Sequence, residues 1–315
     1  MNYELIKNIL RIGIGGVFII AAILKLISID EFEIYIYSFG ILNFLATSIF
    51  SRLLISGEII LGLLLIFKIC YKLTWRVTMF VQILFTLFLT YTAIFRNDAN
   101  CHCFGNLVEL SPIESIVKNI AIIGFLIFVK GQQSSDNRHY SRFHLPLVFS
   151  IFPLVIVFVI SPPDAIYKMI YSTEKEISTV DLYNAQLTMC NEQVTDTTKF
   201  TFDDVIGSQA SVLSPHLIVV VSSTCKYCYL GVKKLSMIMK RHDMNHDNVH
   251  VFIWGAETNI LNFIKETNTE DYSYWQIAPK QAIDITYGRF PIFIWMEDKE
   301  IVKVGDFRDL DDDLR

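Results

Sequence analysis

Long apolar stretches dominate the first half of the chain. A transmembrane helix needs about 20 mostly apolar residues. Five stretches meet or approach this condition, at residues 12–24, 53–67, 77–95, 113–129 and 145–160. A further apolar region, 32–50, is interrupted, and we interpret it as an interfacial helix lying on the membrane surface. The pattern predicts an all-α transmembrane bundle of about five spans over residues 1–163, with six spans as the alternative.

The second half changes to short β-branched runs separated by amphipathic segments. These runs predict an α/β domain in the order β-α-β-α-β-β, with strands at 217–221, 249–254, 292–296 and 301–304. One helix follows the Cys-x-x-Cys at its start and runs to about residue 241, and a short one spans 259–266. Residues 164–213 are polar with weak strand signals, and we interpret them as a lead-in. The predicted division is therefore 1–163 for the bundle, 164–213 for the lead-in or linker and 214–315 for the α/β domain.

Composition agrees with this division and excludes several classes of protein. The 315 residues are 52% hydrophobic and 19% charged, with a mean hydropathy of +0.42, which is too apolar for an ordinary soluble chain. Residues 1–163 hold 12 Lys and Arg against 9 Asp and Glu, and residues 164–315 hold 15 against 23, so the net charges are +3 and −8. With no basic domain, we expect a lipid bilayer and no nucleic acid among the partners.

Lysine and arginine are concentrated on one side of the predicted bundle. The N-terminus and the second and fourth loops carry Lys7, Arg11, Lys68, Lys72, Arg76, Lys130, Arg138 and Arg142. The positive-inside rule places these segments in the cytoplasm. Five spans then put the C-terminal domain on the extracytoplasmic side of the cytoplasmic (inner) membrane.

Two cysteines, Cys225 and Cys228, stand where the first predicted strand of the α/β domain gives way to a helix. The free N–H groups and the positive end of the helix dipole stabilise a thiolate on the first cysteine. A thiolate attacks disulfides, and a second thiol three residues later resolves the mixed disulfide. The alternative, half of a zinc site, needs a second pair that this domain lacks. The spacing therefore predicts Cys225 as nucleophile and Cys228 as resolving thiol.

The strand, the Cys225–Cys228 motif, the helix and the Tyr-Gly-Arg-Phe-Pro segment ending at Pro291 resemble a thioredoxin-like domain. The resemblance implies that Pro291 is the cis-proline that faces the active-site disulfide and binds the substrate backbone. The chain departs from the best-known members in two ways. No Trp precedes Cys225, and the inner dipeptide is Lys226-Tyr227 instead of Gly-Pro. The direction of electron flow therefore stays open.

A second pair, Cys101 and Cys103, lies in the loop after the third predicted span, within Cys-His-Cys-Phe-Gly. A Cys-x-Cys pair can form an easily exchanged disulfide or bind a soft metal with His102 as a third ligand. Two unpaired loop cysteines are the remaining reading. We favour the redox pair and predict no resident metal, because the nearest further candidates, Asp98 and Glu109, are hard oxygen ligands.

Three charged residues, Lys25, Glu58 and Lys118, fall within or at the end of predicted spans on the side of Cys101 and Cys103. Charges at membrane depth are costly and mark functional sites. We expect an ion network beneath the cysteine loop. For Lys25, snorkelling of the side chain to the membrane surface is the alternative.

The Cys-x-Cys-Phe-Gly spelling, the number of spans, Glu58 and the Lys118-Asn119 pair resemble the DoxX-like MauE family over about residues 5–130. The resemblance implies a role in maturing a disulfide-rich dehydrogenase subunit in methylamine utilisation. The fused thioredoxin-like domain suggests broader disulfide traffic.

These patterns predict an integral membrane thiol–disulfide oxidoreductase or disulfide-maturation factor that acts on secreted or periplasmic cysteine-containing proteins. The Cys225–Cys228 pair is expected to exchange with Cys101 and Cys103. The single inner cysteine, Cys70, favours an oxidative relay that ends in a membrane quinone, although no quinone motif is readable. The alternative is a MauE-like assembly or metal-handling factor without redox turnover.

The predicted topology can be tested by thiol labelling. A membrane-impermeant thiol reagent, applied to intact cells after permeabilisation of the outer membrane and gentle reduction, is expected to label Cys101, Cys103, Cys225 and Cys228. Cys70 is expected to be spared because its loop is cytoplasmic. Labelling of Cys70 with protection of Cys225 would overturn the arrangement.

Overall fold

The computed structural model describes residues 3–96, 101, 103–106, 110–130, 144–171, 176–190, 199–207, 216–297 and 300–311. The chain divides into two compact units, Met1–Pro163 and Asp164–Arg315. Each unit is described separately.

The first unit is helical. Its elements are α1 (Tyr3–Ile27), α2 (Ile29–Tyr37), α3 (Phe44–Ile66), α4 (Tyr71–Phe95), the short strand β1 (Cys103–Asn106), α5 (Pro112–Val129) and α6 (His144–Ile160). Among the described residues, α1, α3, α4 and α5 are long and apolar enough to cross a membrane, and a fifth crossing is added if α6 is counted together with the helix that follows it. This confirms the prediction of about five spans in a multi-pass membrane protein.

The prediction of one surface helix over residues 32–50 was wrong. Its first part belongs to α2, most of whose residues are buried. Its last part is the start of α3, where the Asn43 side chain accepts a hydrogen bond from the Ala46 N–H at 2.8 Å. The extra turns of α3 carry buried polar residues, and the Ser51 hydroxyl donates to the Thr47 carbonyl at 2.9 Å. Inward-facing hydroxyls of this kind lower the hydropathy of a segment that is nonetheless helical.

Helices α1 and α3 pack closely at two glycines. A Cβ atom added to Gly15 would lie 2.7 Å from the Gly62 carbonyl oxygen, and one added to Gly62 would lie 2.7 Å from the Gly15 carbonyl oxygen. Small residues at helix crossings allow this approach in membranes, where the hydrophobic effect does not drive helices together. Nearby, buried Arg11 of α1 donates to the carbonyl groups of Leu65 and Ile66 at the end of α3, which satisfies groups that a helix terminus leaves open.

The second unit is an α/β domain. Its elements are α7 (Asp164–Tyr171), α8 (Thr179–Tyr183), β2 (Gln186–Met189), β3 (Lys199–Thr201), α9 (Phe202–Gly207), β4 (His216–Ser222), α10 (Lys226–Arg241), β5 (Val249–Trp254), α11 (Glu257–Thr267), β6 (Ser273–Ile277), α12 (Pro279–Thr286), β7 (Ile292–Glu297) and β8 (Glu300–Gly305). The described residues form a seven-stranded sheet in the order β3-β2-β6-β5-β4-β7-β8. Strands β4, β5 and β6 are parallel, and β7 and β8 form an antiparallel hairpin beside β4.

This topology places an α/β sheet of the thioredoxin-like type after the helical unit, as predicted. Two parts of the prediction differ from the structure. Strand β6 and helix α12 were missed between α11 and β7, because Ser273–Ile277 mixes polar and aromatic residues. The segment 164–213 is no linker, since β2 joins the sheet against β6 and buries Leu187 completely.

Two histidines are buried at the N-terminal ends of two adjacent strands. His216 opens β4 and His250 is the second residue of β5, and Nε2 of His250 lies 3.4 Å from Nδ1 of His216. The imidazole rings stack with their centroids 5.5 Å apart. Burial lowers the pKa of both side chains, and that of His250 falls to about 4.

The contribution of β2 to the domain can be measured. Leu187→Ala in a soluble fragment of residues 164–315 is expected to lower the free energy of unfolding by about 2–5 kcal/mol, because it removes a fully buried side chain. The matched change Met189→Ala, at an exposed position of the same strand, is expected to cost less than about 0.5 kcal/mol. Urea titration followed by circular dichroism measures both, and equal costs would mean that β2 is dispensable.

Candidate functional site

The first cysteine pair lies at the start of α10. Cys225 is the N-cap residue of this helix, and its sulfur accepts a hydrogen bond from the Cys228 N–H at 3.4 Å. Cys225 is partly exposed, whereas Cys228 is fully buried and accepts from the Ser222 N–H at 3.4 Å. The end of β4 and the first turn of α10 thus hold one accessible and one enclosed thiol.

The two thiols differ in acidity as well as exposure. The pKa of Cys225 is lowered to about 6, chiefly by the hydrogen bond from the Cys228 side chain, with further help from the backbone N–H groups of Cys228 and Tyr227. Burial and the same hydrogen bond raise the pKa of Cys228. At neutral pH these pKa values favour a thiolate at Cys225 and a protonated thiol at Cys228.

A cis-proline and a cavity lie near the start of α10. The Phe290–Pro291 peptide bond is cis, and Pro291 lies over α10, where a Cβ atom added to Gly231 would be 3.2 Å from its ring. A cavity of about 290 Å³ opens beside Cys225 and is lined by Lys226, Tyr229, Asn259, Asn262 and Glu266 among others. The side chains from α11 carried no signal in the sequence, because isolated Asn and Glu residues are typical of any exposed helix.

The acidity of Cys225 gives a direct prediction. In a variant with the other four cysteines changed to Ser, the rate of alkylation of Cys225 is expected to rise with pH, with a midpoint near 6, and then to level off. Cys228→Ala removes the main hydrogen bond, so the midpoint is expected to move up toward the ordinary value of 9. Stopped-flow iodoacetamide kinetics measure both curves, and identical midpoints would contradict the assigned cause.

The second cysteine pair lies at the start of β1 in the membrane unit. The Cys101 N–H donates to the Leu110 carbonyl at 3.0 Å, and the Cys103 N–H donates to the Cys101 sulfur at 3.3 Å. The Ser115 hydroxyl of α5 lies 2.9 Å from the same sulfur. Both cysteines are buried, and all six cysteines of the chain are free thiols. Because Cys101, Cys103 and Cys228 are buried, the labelling test of topology depends on Cys225 and the exposed Cys70.

This pair has the same asymmetry as the first. The pKa of Cys101 is lowered to about 6, chiefly by the Cys103 side chain and then by Ser115 and the Cys103 N–H. The hydrogen bond to Cys101 and burial raise the pKa of Cys103. Cys101 is therefore the more acidic thiol of this pair. Ser115 was missed from the sequence, because a serine inside an apolar helix has no distinguishing pattern.

The glycine of the Cys-His-Cys-Phe-Gly motif fixes this loop against α1. Gly105 has φ = +65°, and a Cβ atom at this position would lie 2.5 Å from the Leu24 carbonyl oxygen and closer still to the Ser28 hydroxyl. The preceding Phe104 ring lies 4.4 Å from the Lys118 ammonium group. The motif therefore holds the two cysteines against the end of α1 and the first half of α5, where the charged residues of these helices lie.

One ion pair of the expected network, Lys25–Glu58, is present, and Lys118 lines the same cavity as these two residues. Lys25 of α1 forms an ion pair with Glu58 near the middle of α3. The snorkelling alternative for Lys25 was wrong, since only 3% of its side chain is exposed; helical side chains lean toward the N-terminal end of their helix, here into the bundle. A small cavity of about 40 Å³ joins these residues to the second cysteine pair and is lined by Lys25, Glu58, Gln82, Cys103, Lys118 and Asn119 among others. Gln82 of α4 was not predicted.

The Lys25–Glu58 pair gives a stability prediction. Glu58→Gln leaves Lys25 as an uncompensated buried charge, which costs on the order of 3–5 kcal/mol. We expect a clear loss of accumulated protein in membranes. Glu114→Gln is the matched control, because Glu114 is exposed in a capping box where Gln also serves. Quantitative immunoblotting of membranes measures both, and equal tolerance would make Glu58 a solvated residue.

A metal site finds no support in the described part of the chain, which contains no group of three or more His, Cys, Asp or Glu side chains placed to hold an ion. His102, Asp98 and Glu109, which the metal alternative requires, lie outside the described residues.

A multi-span bundle with one asymmetric cysteine pair and a thioredoxin-like sheet with another have the features expected of a membrane thiol–disulfide oxidoreductase. Residues 3–130 match the family described as Methylamine utilisation protein MauE, which confirms the resemblance seen in the sequence. The match contains both Cys101 and Cys103 and the residues of the cavity beneath them.

The chain is also similar to Protein TlpB from Flavobacterium psychrophilum, with 27% identity over 307 residues, which is 86% of this chain and 83% of the relative. Neither unit makes up more than about half of the chain, so the similarity must extend through both. The fusion of the helical unit to the α/β unit is therefore shared with another protein.

Two solved structures are similar to part of the chain. A secreted Mycobacterium tuberculosis disulfide oxidoreductase homologous to E. coli DsbE is 13% identical, and the match covers 41% of this chain and 87% of that protein with a TM-score of 0.30. The MTB DsbF structure is 10% identical, with 39% and 86% covered and a TM-score of 0.27. The thioredoxin-like assignment follows from the strand order, the cysteine motif and the cis-proline of the chain itself.

Proposed function

We propose that the protein is a thiol–disulfide relay of the cytoplasmic membrane that exchanges electrons between Cys225–Cys228 and Cys101–Cys103 and serves extracytoplasmic cysteine-containing proteins. One observation carries the proposal. Each unit holds a cysteine pair in which the first thiol has a pKa near 6 and the second is buried with a raised pKa. This is the division into attacking and resolving thiols that disulfide exchange requires.

In the oxidative direction, the Cys225 thiolate attacks one sulfur of an oxidised Cys101–Cys103 pair, the bond between those sulfurs breaks, and its electron pair leaves on the other sulfur. Cys228 then loses its proton and attacks Cys225, which releases the second cysteine of the membrane unit as a thiolate. The pair of the α/β unit is now oxidised and the pair of the membrane unit is reduced. The reverse sequence transfers the two electrons the other way.

Orientation and direction are parts of the proposal that rest on the sequence. The distribution of Lys and Arg supports an N-terminus in the cytoplasm and the C-terminal domain outside it. The absence of a cysteine pair on the inner side favours an oxidative relay over a relay that receives electrons from the cytoplasm.

A membrane quinone as the final acceptor would need more space than the cavity beneath Cys103 provides. An engineered cavity of about 150 Å³ holds a benzene ring, so the space of about 40 Å³ next to Glu58 and Lys118 does not fit a quinone ring. The in-cell redox state of each cysteine pair, with quinone synthesis on and off, distinguishes a quinone-coupled relay from one emptied by another protein.

The relay is tested by trapping its intermediate. Cys228→Ser removes the resolving thiol, while Cys225 keeps its place at the start of α10 and can still form the first bond. With a protease site inserted between α7 and α8, the two cleaved halves are expected to stay joined on a non-reducing gel and to separate on a reducing gel.

Two controls define the linkage. Cys225→Ser, and a variant lacking both Cys101 and Cys103, are expected to give no joined species. If Cys228→Ser links only to other proteins, the two pairs serve separate partners and the relay is wrong, although the oxidoreductase class survives. If variants lacking either pair keep full function in cells, the MauE-like assembly role without redox turnover is the better description, and the link to methylamine utilisation becomes the question to test.

A further inference from the structure

The cavity between Glu58 and Cys103 has the size and lining of a water site. Water needs about 10–15 Å³ of such space and two to four polar partners. The cavity of about 40 Å³ therefore has room for two or three water molecules. Cys103 lines this cavity, and polar residues from four helices line it as well. These residues are Lys25 (α1), Glu58 (α3), Gln82 (α4), and Lys118 and Asn119 (α5).

One oxygen of Glu58 is left without a partner at this place. Oε1 pairs with Lys25, but Oε2 is buried and has no hydrogen bond among the described residues. A buried carboxylate oxygen without a partner is costly. Water in the adjoining cavity would satisfy it and would connect it to the residues that line the same space, Cys103 included.

Cys103 needs a proton acceptor, and the described residues of the loop, 101, 103–106 and 110, do not supply one. It is buried, and its raised pKa shows that its neighbours favour the protonated thiol. It must nevertheless become a thiolate at the moment it attacks Cys101. The Ser115 hydroxyl and the Cys103 N–H both lie within hydrogen-bond distance of the Cys101 sulfur. Neither is therefore placed to accept the proton of Cys103.

The charges of the cluster are compatible with an internal acceptor. When Cys101 is held in a mixed disulfide, Lys25 and Lys118 carry two positive charges and the Glu58 carboxylate carries one negative charge. The two lysines favour the Cys103 thiolate as it forms. Movement of the proton from Cys103 to Glu58 leaves the net charge of the buried cluster unchanged, so no charge has to enter or leave it in this step.

We propose that Glu58 is the proton acceptor of Cys103, acting through water in the cavity between them. This inference rests on the proposed redox role of the Cys101–Cys103 pair. When a mixed disulfide has formed on Cys101, the Cys103 S–H bond breaks and its proton passes through water to Oε2 of Glu58. The sulfur electron pair forms the Cys101–Cys103 bond, and the bond from Cys101 to the partner sulfur breaks with its electron pair leaving on the partner. In the reverse direction Glu58 returns the proton.

The test follows the two attacks separately with a small neutral disulfide. Full-length protein in which Cys70, Cys190, Cys225 and Cys228 are Ser is purified in detergent, reduced, and mixed with 4,4′-dithiodipyridine. Attack by Cys101 releases one thiopyridone, and attack by Cys103 on the mixed disulfide releases the second. Each release is followed by absorbance, so the first phase reports Cys101 and the second reports Cys103.

Glu58→Gln is expected to slow the second phase by about 100-fold, the lower end of what general base catalysis contributes, and to leave the first phase unchanged. The second phase should then rise about tenfold per pH unit, because hydroxide must take the proton. Glu58→Asp is expected to restore part of the rate and to remove the tenfold dependence. Glu114→Gln, at an exposed carboxylate, is expected to match the parent in both phases.

Two results would overturn the proposal: a second phase that Glu58→Gln leaves unchanged, or a slowing of both phases by the same factor, which indicates a structural role. If Glu58→Gln does not accumulate, the double change Lys25→Met with Glu58→Gln removes both charges and must show the same selective loss. The assay contains no Cys225 or Cys228, so it can fail or succeed independently of the trapped intermediate that tests the relay.

Discussion

A charge inside a bilayer has to be paired, and this constraint organises the whole membrane unit. Lys25 and Glu58 join α1 to α3 under the cysteine loop. Buried Glu33 and Arg52 join α2 to α3, and the Arg52 guanidinium also donates to the Pro162 carbonyl at 2.8 Å beyond the end of α6. In lipid, apolar surface alone contributes little free energy to helix association. Paired charges and close glycine contacts therefore define which helix lies against which.

The same pairing principle connects structure to chemistry. A thiolate is a charge as well, and the Cys101 sulfur is stabilised by donors from β1 and α5 directly above two lysines. In the α/β unit, Cys225 obtains the same result without lysines, from the first turn of α10. Two unrelated scaffolds thus lower the pKa of one thiol to about 6 beside a second thiol whose pKa is raised.

Much of this could be predicted from the sequence, for reasons that differ by element. Spans such as α4 are marked by apolar length, and the Cys225–Cys228 motif is marked by spacing at a strand-to-helix junction. The start of α3 could not be predicted. Its hydroxyl side chains form hydrogen bonds with the backbone of the same helix, but in the sequence they lower the hydropathy of the segment to that of a loop. Strand β2 was missed because its burial depends on β6, a partner distant in sequence. Ser115 and Gln82 could not be recognised from the sequence, because only tertiary packing brings Ser115 next to the Cys101 sulfur and Gln82 into the lining of the cavity.

The stacked histidines of β4 and β5 make the α/β unit sensitive to acid. An imidazole whose pKa is lowered in the folded state costs the fold nothing above its unfolded pKa of about 6.5 and destabilises the fold below it. As the pH falls toward the folded value of about 4 for His250, the unfolded chain binds a proton that the folded chain does not. Each pH unit in that interval then removes about 1.4 kcal/mol for this one group. The Cys225 thiolate is protonated over the same interval, below its pKa of about 6, so acid weakens the fold of this unit and removes its thiolate together.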